Sequence, residues 1–168
     1  MDGSEMKQIV ICDANILIDY AKANKKIIGL ITKHLYEIWI PLPVWEEVHD
    51  LSDEDATTLG VNIAEPSLAQ TSEAADMFGG GLSDEDNMCF IMARDEKTIC
   101  ATNEKPLRKK CRENGIKVLW GLQIMIHLCE IGKLKVDIAA KTGEKIVKMN
   151  PRITQKVLDD FIVKLENL

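Results

Sequence analysis

Residues 9–20, with the sequence IVICDANILIDY, decide the fold class of this chain. The apolar run at 9–12 predicts a short buried strand, and the apolar spacing from Ile16 onward predicts a helix. Asp13 stands where the strand changes into the helix. A buried strand that leads directly into a helix is typical of α/β proteins with a parallel sheet.

The same alternation of strand and helix continues along the chain. Further strands are predicted at 37–40, 59–64, 98–101 and 116–119. Helices are predicted at about 41–51, 67–77, 84–92, 105–111, 122–131 and 153–165. We therefore predict a three-layer α/β/α fold around a central, mainly parallel sheet.

Acidic residues follow the predicted strands. Asp13 follows the first strand, Glu104 follows the strand at 98–101, and Glu47 and Asp86 lie near the starts of helices. Ligand sites in such folds lie at the carboxyl ends of the strands, so these four acids are expected to converge. Crowded carboxylates need protons or cations to offset their repulsion. Mg²⁺ and Mn²⁺ prefer carboxylate oxygen and assist phosphodiester hydrolysis.

Each acid also has a purely structural interpretation. Asp and Glu are favoured at helix N-termini by capping and by the helix dipole. Residues 83–86, SDED, make a good helix start without any function, and Glu46 and Asp50 compete with Glu47 for the role of ligand. The residues alone leave both interpretations open, although the recurrence of acids after successive strands favours a site.

Cysteine and histidine spacing does not indicate a zinc site. The five cysteines include no CxxC pair, and the three histidines show no metal-ligand spacing. We interpret most of the cysteines as small buried apolar residues. His127 lies in an apolar segment, which favours a hydrogen-bonded structural role.

The charge distribution restricts how this chain could bind nucleic acid. A net charge of -6 excludes binding through overall attraction to phosphate. A local basic cluster nevertheless follows Glu104, and it consists of Lys105, Arg108, Lys109, Lys110, Arg112 and Lys117. It either contacts RNA phosphates or forms a solvated helix face, and the sequence leaves both open.

No segment has the pattern of a membrane span or a secretion signal. The longest apolar runs fall well short of the roughly 18 residues that a spanning helix needs. The first twelve residues do not combine a basic region, an extended apolar segment and a cleavage site. A cytoplasmic location, with no membrane contact, is therefore the default expectation.

The acidic motifs resemble those of the PIN-domain family over about residues 8–133. IVICDANILIDY resembles the family's opening strand, acid and helix, with Asp13 followed by Asn15. PVWEEVHDL resembles the second motif and assigns its acid to Glu47, and LSDEDNMCFIMA resembles the third and assigns Asp86. ATNEKPLRKKCRENGIKVLWGLQIM resembles the last strand, acidic turn, basic helix, strand and closing helix.

This resemblance implies a metal-dependent ribonuclease. The small VapC-like members of the family are often toxins paired with an antitoxin. The resemblance implies Mg²⁺ or Mn²⁺ held by the four acids, with Asn15 and Asn103 in supporting roles. RNA is the implied substrate, and an antitoxin protein is the implied partner. The final helix, predicted at about 153–165, packs on the domain, contacts a partner or supports a homodimer, and the sequence leaves these roles open. We expect residues 1–135 to form the PIN-like nuclease domain and residues 136–168 to form a helical extension packed on it.

The last motif departs from the family pattern. Related sequences usually carry Asp at one or both of the positions occupied here by Asn103 and Glu104. An alternative function is therefore a catalytically impaired PIN-like module that binds RNA or protein. A third class, a flavodoxin-like or response-regulator-like signalling domain, is disfavoured because the expected early acidic pair and later strand-end lysine are not apparent.

Overall fold

The computed structural model describes residues 6–168, so the first five residues of the predicted nuclease domain lie outside the described residues. The strands are β1 (Gln8–Cys12), β2 (Tyr36–Pro41), β3 (Asn62–Ala64), β4 (Ile99–Ala101) and β5 (Val118–Leu119). The helices are α1 (Ala14–Asn24), α2 (Lys26–His34), α3 (Leu42–Trp45), α4 (Asp53–Leu59), α5 (Leu68–Asp76), α6 (Asp84–Asp95), α7 (Lys105–Glu113), α8 (Gly121–Glu130), α9 (Val136–Met149) and α10 (Gln155–Glu166).

The five strands form one parallel sheet in the order β3-β2-β1-β4-β5. In its centre Val10 of β1 lies opposite Ile38 of β2 and Ile99 of β4. The chain first builds outward from β1 to β3 and then returns to the other side of β1. The order therefore reverses between β1 and β4, and such a reversal opens a crevice at the carboxyl ends of the strands. The predicted three-layer α/β/α, PIN-like fold is confirmed.

Apolar runs explain why the central strands form. Val10, Ile11 and Cys12 are at most 2% exposed, and all of β4 is buried, as expected for parallel strands covered on both faces. Burying one Ile or Leu side chain contributes about 1.5–3 kcal/mol to folding. Cys89, Cys100 and Cys111 are also fully buried, so the interpretation of most cysteines as core residues is confirmed.

The segment after β2 differs from its prediction. A helix was predicted to continue to Leu51, but α3 ends at Trp45, so that prediction is wrong. Directly after α3 the chain tightens into a turn, because the N–H of Val48 donates to the carbonyl of Trp45, three residues back, at 2.9 Å. In the next segment the Ser52 hydroxyl accepts from the N–H of Asp55 at 3.0 Å, and the Asp55 carboxylate accepts from the N–H of Ser52 at 2.9 Å. This capping box starts α4 anew. The Trp45 indole donates to Asp53 at 2.9 Å and secures the turn between the two helices.

The C-terminal helices close the fold against its first helix. Helix α9 packs on α1 and α8, and α10 packs on α8 and α9. A Cβ atom at Gly143 would collide with the ring of Phe161, so glycine permits the close approach of α9 and α10. The separate helices α2 and α4 were not among those predicted from the sequence, and α9 was predicted only as part of the helical extension at 136–168.

Within residues 6–168 every helix is too short or too polar to cross a bilayer. His127 lies on α8, and its Nδ1 is 3.2 Å from the hydroxyl of Tyr36, which fits the structural role expected for it.

Candidate functional site

Asp13 lies at the reversal of strand order, between the ends of β1 and β4. Its N–H donates to the carbonyl of Ala101 at 3.0 Å and continues the pairing of β1 with β4. Its side chain is only 4% exposed, and its Oδ2 accepts a hydrogen bond from the Thr102 hydroxyl at 2.9 Å. The sheet itself therefore places a buried carboxylate at the crevice.

Thr102 connects Asp13 to the next acid. Its hydroxyl donates to Asp13 and accepts from the N–H of Glu104 at 3.0 Å. Thr102 is completely buried, so both hydrogen bonds are shielded from water. Sequence reasoning missed this residue, although a threonine directly after a buried strand and directly before the acidic turn was a signal.

The environment of Asp13 disfavours its negative charge. Burial raises the pKa of its carboxyl, the Thr102 hydrogen bond opposes that rise, and the charge of Glu104 adds to it. A carboxylate in this position gains from any cation brought close to it.

Asp86 lies in the first turn of α6 and faces the same acids. Its N–H donates to the Ser83 hydroxyl at 3.1 Å, which caps the helix. Desolvation, followed by the charges of Asp13 and Glu104, raises its pKa to about 7. Asp86 therefore lies close enough to Asp13 and Glu104 for their charges to affect its pKa. Near neutral pH its carboxyl is therefore divided between the protonated and ionised forms.

Glu47 occupies the outer rim, in the turn that follows α3. Its side chain is exposed, and partial desolvation, the charge of Glu85, a hydrogen bond with Glu85 and the charge of Asp13 raise its pKa. Glu85 is thus a close acidic neighbour of Glu47, although the sequence interpretation treated it only as part of a helix start.

Glu104 precedes α7 and lies partly exposed beside the crevice. Its Oε1 accepts from the Asn15 side-chain amide at 3.0 Å and also contacts the guanidinium of Arg152. Asn15 thereby supports the fourth acid, and a residue from the far end of the chain meets it as well.

Asn103 faces a different part of the molecule. Its Oδ1 accepts from the N–H of Gly121 at 3.1 Å, which ties it to the start of α8. The Arg108 guanidinium donates to its backbone carbonyl. The side-chain oxygen of Asn103 therefore supports the fold beside the site.

Asp19 is a buried acid that the sequence interpretation did not include. It lies on α1, is 6% exposed and accepts from the Asn150 amide at 3.0 Å. Burial raises its pKa to about 6; the charge of Asp13 also raises it, and Arg152 lowers it. An acid inside the apolar segment ILIDYA was the available signal.

The basic cluster after Glu104 divides into an exposed part and a buried part. Lys105, Lys109 and Arg112 are exposed on α7. Arg108 is only 9% exposed, and its guanidinium lies 3.7 Å from the ring centre of Trp120. The exposed members are open to phosphate, whereas Arg108 packs inside the protein.

The donor set suits a hard divalent cation, although its side chains stand apart. Within residues 6–168, no three Asp, Glu, His or Cys side chains are grouped closely enough to hold a metal as they stand. Oxygen donors are nevertheless the type that Mg²⁺ and Mn²⁺ prefer. The raised pKa values of Asp13 and Asp86 also reflect a repulsion that a cation would relieve.

A family model described as a PIN domain matches residues 9–167, a span that runs from β1 into the end of α10. No curated protein matches the chain.

Proposed function

The chain belongs to the PIN-domain family, and on that premise we propose that it is a divalent-metal-dependent endoribonuclease. PIN domains are generally nucleases, so the fold is of a nuclease type and nucleic acid is the substrate class it suggests. The observation that carries the finer proposal is the geometry at the crevice, where the buried Thr102 hydroxyl joins the Asp13 carboxylate to the backbone of Glu104. Burial and the charges of these two acids also raise the pKa of Asp86, as expected for neighbouring acids that receive a cation.

In this proposal Asp13, Glu47, Asp86 and Glu104 hold Mg²⁺ or Mn²⁺, directly or through water. The bound ion would supply an activated water and neutralise charge on the phosphodiester. Thr102 fixes the orientation of Asp13, and Asn15 fixes that of Glu104. Such positioning residues hold the acids in a fixed geometry while the substrate reacts.

The biological role and the partners are further parts of the proposal. Resemblance to toxin-type members of the family supports a toxin that acts on cytoplasmic RNA and an antitoxin protein as its partner. Helix α10 is the segment that we propose for contact in a homodimer. Exposed Lys105, Lys109 and Arg112 supply cations for the RNA backbone near the acids.

Asp13→Asn tests the proposed chemistry, because asparagine keeps the shape of the side chain and removes its charge. We expect RNA cleavage with Mn²⁺ to fall at least ~100-fold, in line with losses of a key charge-stabilising group. EDTA should abolish cleavage by the unmodified protein. Labelled single-stranded RNA and DNA of equal sequence would show which nucleic acid is cut.

Asp137→Asn is the matched control, because Asp137 is exposed in the first turn of α9. It should cleave as the unmodified protein does. Metal-independent cleavage, or full activity in Asp13→Asn, contradicts the proposal.

A second candidate function is an RNA- or protein-binding module with impaired catalysis. Glu104 favours it, because this acid is already engaged by Asn15 and Arg152. Calorimetry separates the two candidates. Tight RNA binding without Mn²⁺ binding supports the module, whereas Mn²⁺ binding that Asp13→Asn weakens supports the nuclease.

A further inference from the structure

The segment between α9 and α10 reaches the acidic site at two points. The Asn150 amide donates to Asp19 at 3.0 Å, and the Arg152 guanidinium contacts Glu104. The segment is also fixed internally, because the N–H of Arg152 donates to the Asn150 side-chain oxygen at 3.1 Å. A cationic side chain from the C-terminal part of the chain is therefore held directly beside the acids.

The environment of Arg152 leaves much of its guanidinium accessible. Its side chain is 62% exposed, whereas the Glu104 side chain is 20% exposed. Within the described residues, its side-chain contact with Glu104 uses one terminal nitrogen of a group that carries five N–H donors. Half-exposed ion pairs of this kind are weak and are screened by salt, so this contact is easily exchanged.

Arginine is also the residue best suited to a phosphate. Its planar fork can donate two parallel hydrogen bonds to phosphate oxygens, and it is always charged. A divalent cation bound at Glu104 would compete with Arg152 for the same carboxylate oxygen. Asn150, which bonds both Asp19 and the backbone N–H of Arg152, would keep the backbone of Arg152 at the edge of the site.

From this arrangement we propose that Arg152 is a phosphate-binding residue of the site, which the C-terminal segment delivers and Glu104 holds until nucleic acid binds. The inference rests on the proposed function, because it places a backbone phosphate next to the acids. It predicts that cation binding at Glu104 and phosphate binding at Arg152 support each other.

Binding measurements on the full chain test this role. Fluorescence anisotropy of a labelled single-stranded RNA would compare the unmodified protein with Arg152→Gln, Arg152→Lys and Lys148→Gln, using Ca²⁺ in place of Mn²⁺. Lys148→Gln is the matched control, because it removes one positive charge from an exposed position on neighbouring α9. Thermal unfolding of each variant would verify that it folds.

We expect Arg152→Gln to weaken RNA binding about 5- to 10-fold and to reduce the slope of log affinity against log salt by about 1 between roughly 50 and 200 mM salt. Arg152→Lys should restore the salt slope but only part of the affinity. Calorimetry should show Mn²⁺ binding to Arg152→Gln a few-fold more tightly, because the competing cation is gone. Lys148→Gln should change none of these properties beyond the small effect of net charge.

Equal RNA affinity and salt slope in Arg152→Gln and Lys148→Gln would overturn the inference. If Mn²⁺ nevertheless bound more tightly to Arg152→Gln, Arg152 would be an inhibitory contact and not a phosphate ligand. These results are separable from a failure of the proposed nuclease. If the proposed nuclease activity is absent, the unmodified protein will not cleave RNA with Mn²⁺. A selective loss of RNA affinity in Arg152→Gln would still support phosphate binding in that protein.

Discussion

The inner and outer parts of the acidic site are held in different ways. In the inner part, the completely buried hydroxyl of Thr102 joins Asp13 to the backbone of Glu104. In the outer part, Glu104 meets the largely exposed guanidinium of Arg152. Shielded hydrogen bonds to a charged group are costly to remove, whereas exposed ion pairs contribute little. The inner part should therefore be rigid and the outer part adjustable by salt, cations and substrate.

Thr102→Val should have the largest effect on stability, because it leaves the carboxylate of Asp13 and the N–H of Glu104 without their partner. We expect a loss of about 2 kcal/mol in the free energy of unfolding. Urea denaturation measures it, and Thr71→Val, on the exposed surface of α5, is the matched control. Equal stability of the two variants would show that the inner part is not held as described.

The pH dependence of the metal-free protein is the next test. Burial and neighbouring charges raise the pKa of Asp86 from 3.8 to about 7, so folding favours its protonated form. The resulting stability is fully present below about pH 4 and is lost as the pH rises through about 7. Partial exposure limits the effect to about 1–2 kcal/mol.

Asp86→Asn should remove most of this decline between pH 5 and 8. Asp84→Asn, at an exposed position in the same helical turn, should retain it. Urea denaturation across the pH range compares the two variants. Mn²⁺ should restore stability to the unmodified protein at pH 8, and an identical pH profile in both variants would contradict the role given to Asp86.

Asn150→Ala should have an intermediate effect, because buried Asp19 loses its side-chain hydrogen bond. We expect a loss of about 1 kcal/mol in the free energy of unfolding. The pKa of Asp19 should also move further above its present value of about 6, since that hydrogen bond lowers it. Carboxyl titration by NMR checks the shift, and an unchanged pKa would mean that Asn150 does not hold the segment at Asp19.

Arg152→Gln should have the smallest effect on stability, below about 0.5 kcal/mol, because its ion pair is largely exposed. Thermal unfolding at low and high salt measures it. A loss as large as that of Thr102→Val would remove the difference between the inner and outer parts. A small loss together with weaker RNA binding would sharpen that difference.

The sequence predicted the features that depend on local patterns. The apolar run before Asp13 predicted the central strand, and its junction with a helix located the crevice. Both predictions succeed because the spacing of apolar side chains within a short segment indicates its secondary structure and its buried face. The helix predicted to reach Leu51 instead ends at Trp45 in a tight turn, and a capping box at Ser52 begins a new helix. The ligand roles of Asp13, Glu47, Asp86 and Glu104 remain predictions.

Contacts between distant residues could not be predicted in the same way. Asp19 and Asn150 are 131 positions apart, and Glu104 and Arg152 are 48 apart. No periodic pattern in the sequence indicates either contact, since each depends on how α9 packs against α1. Glu85 was not predicted to belong to the site, although it lies close to Glu47. The family motif assigned the acid of this segment to its neighbour Asp86.

The packing of α9 against α1 also has a consequence for the order in which a ribosome makes this protein. Asp13 and Asp19 emerge well before Asn150 and Arg152, which lie more than 130 residues further along the chain. At ~5–20 residues per second, roughly 7 to 26 seconds separate Asp19 from Asn150, which is 131 residues further on. During that interval the nascent chain carries its acids without the segment that meets them, and the site takes its final form only after that segment has been made.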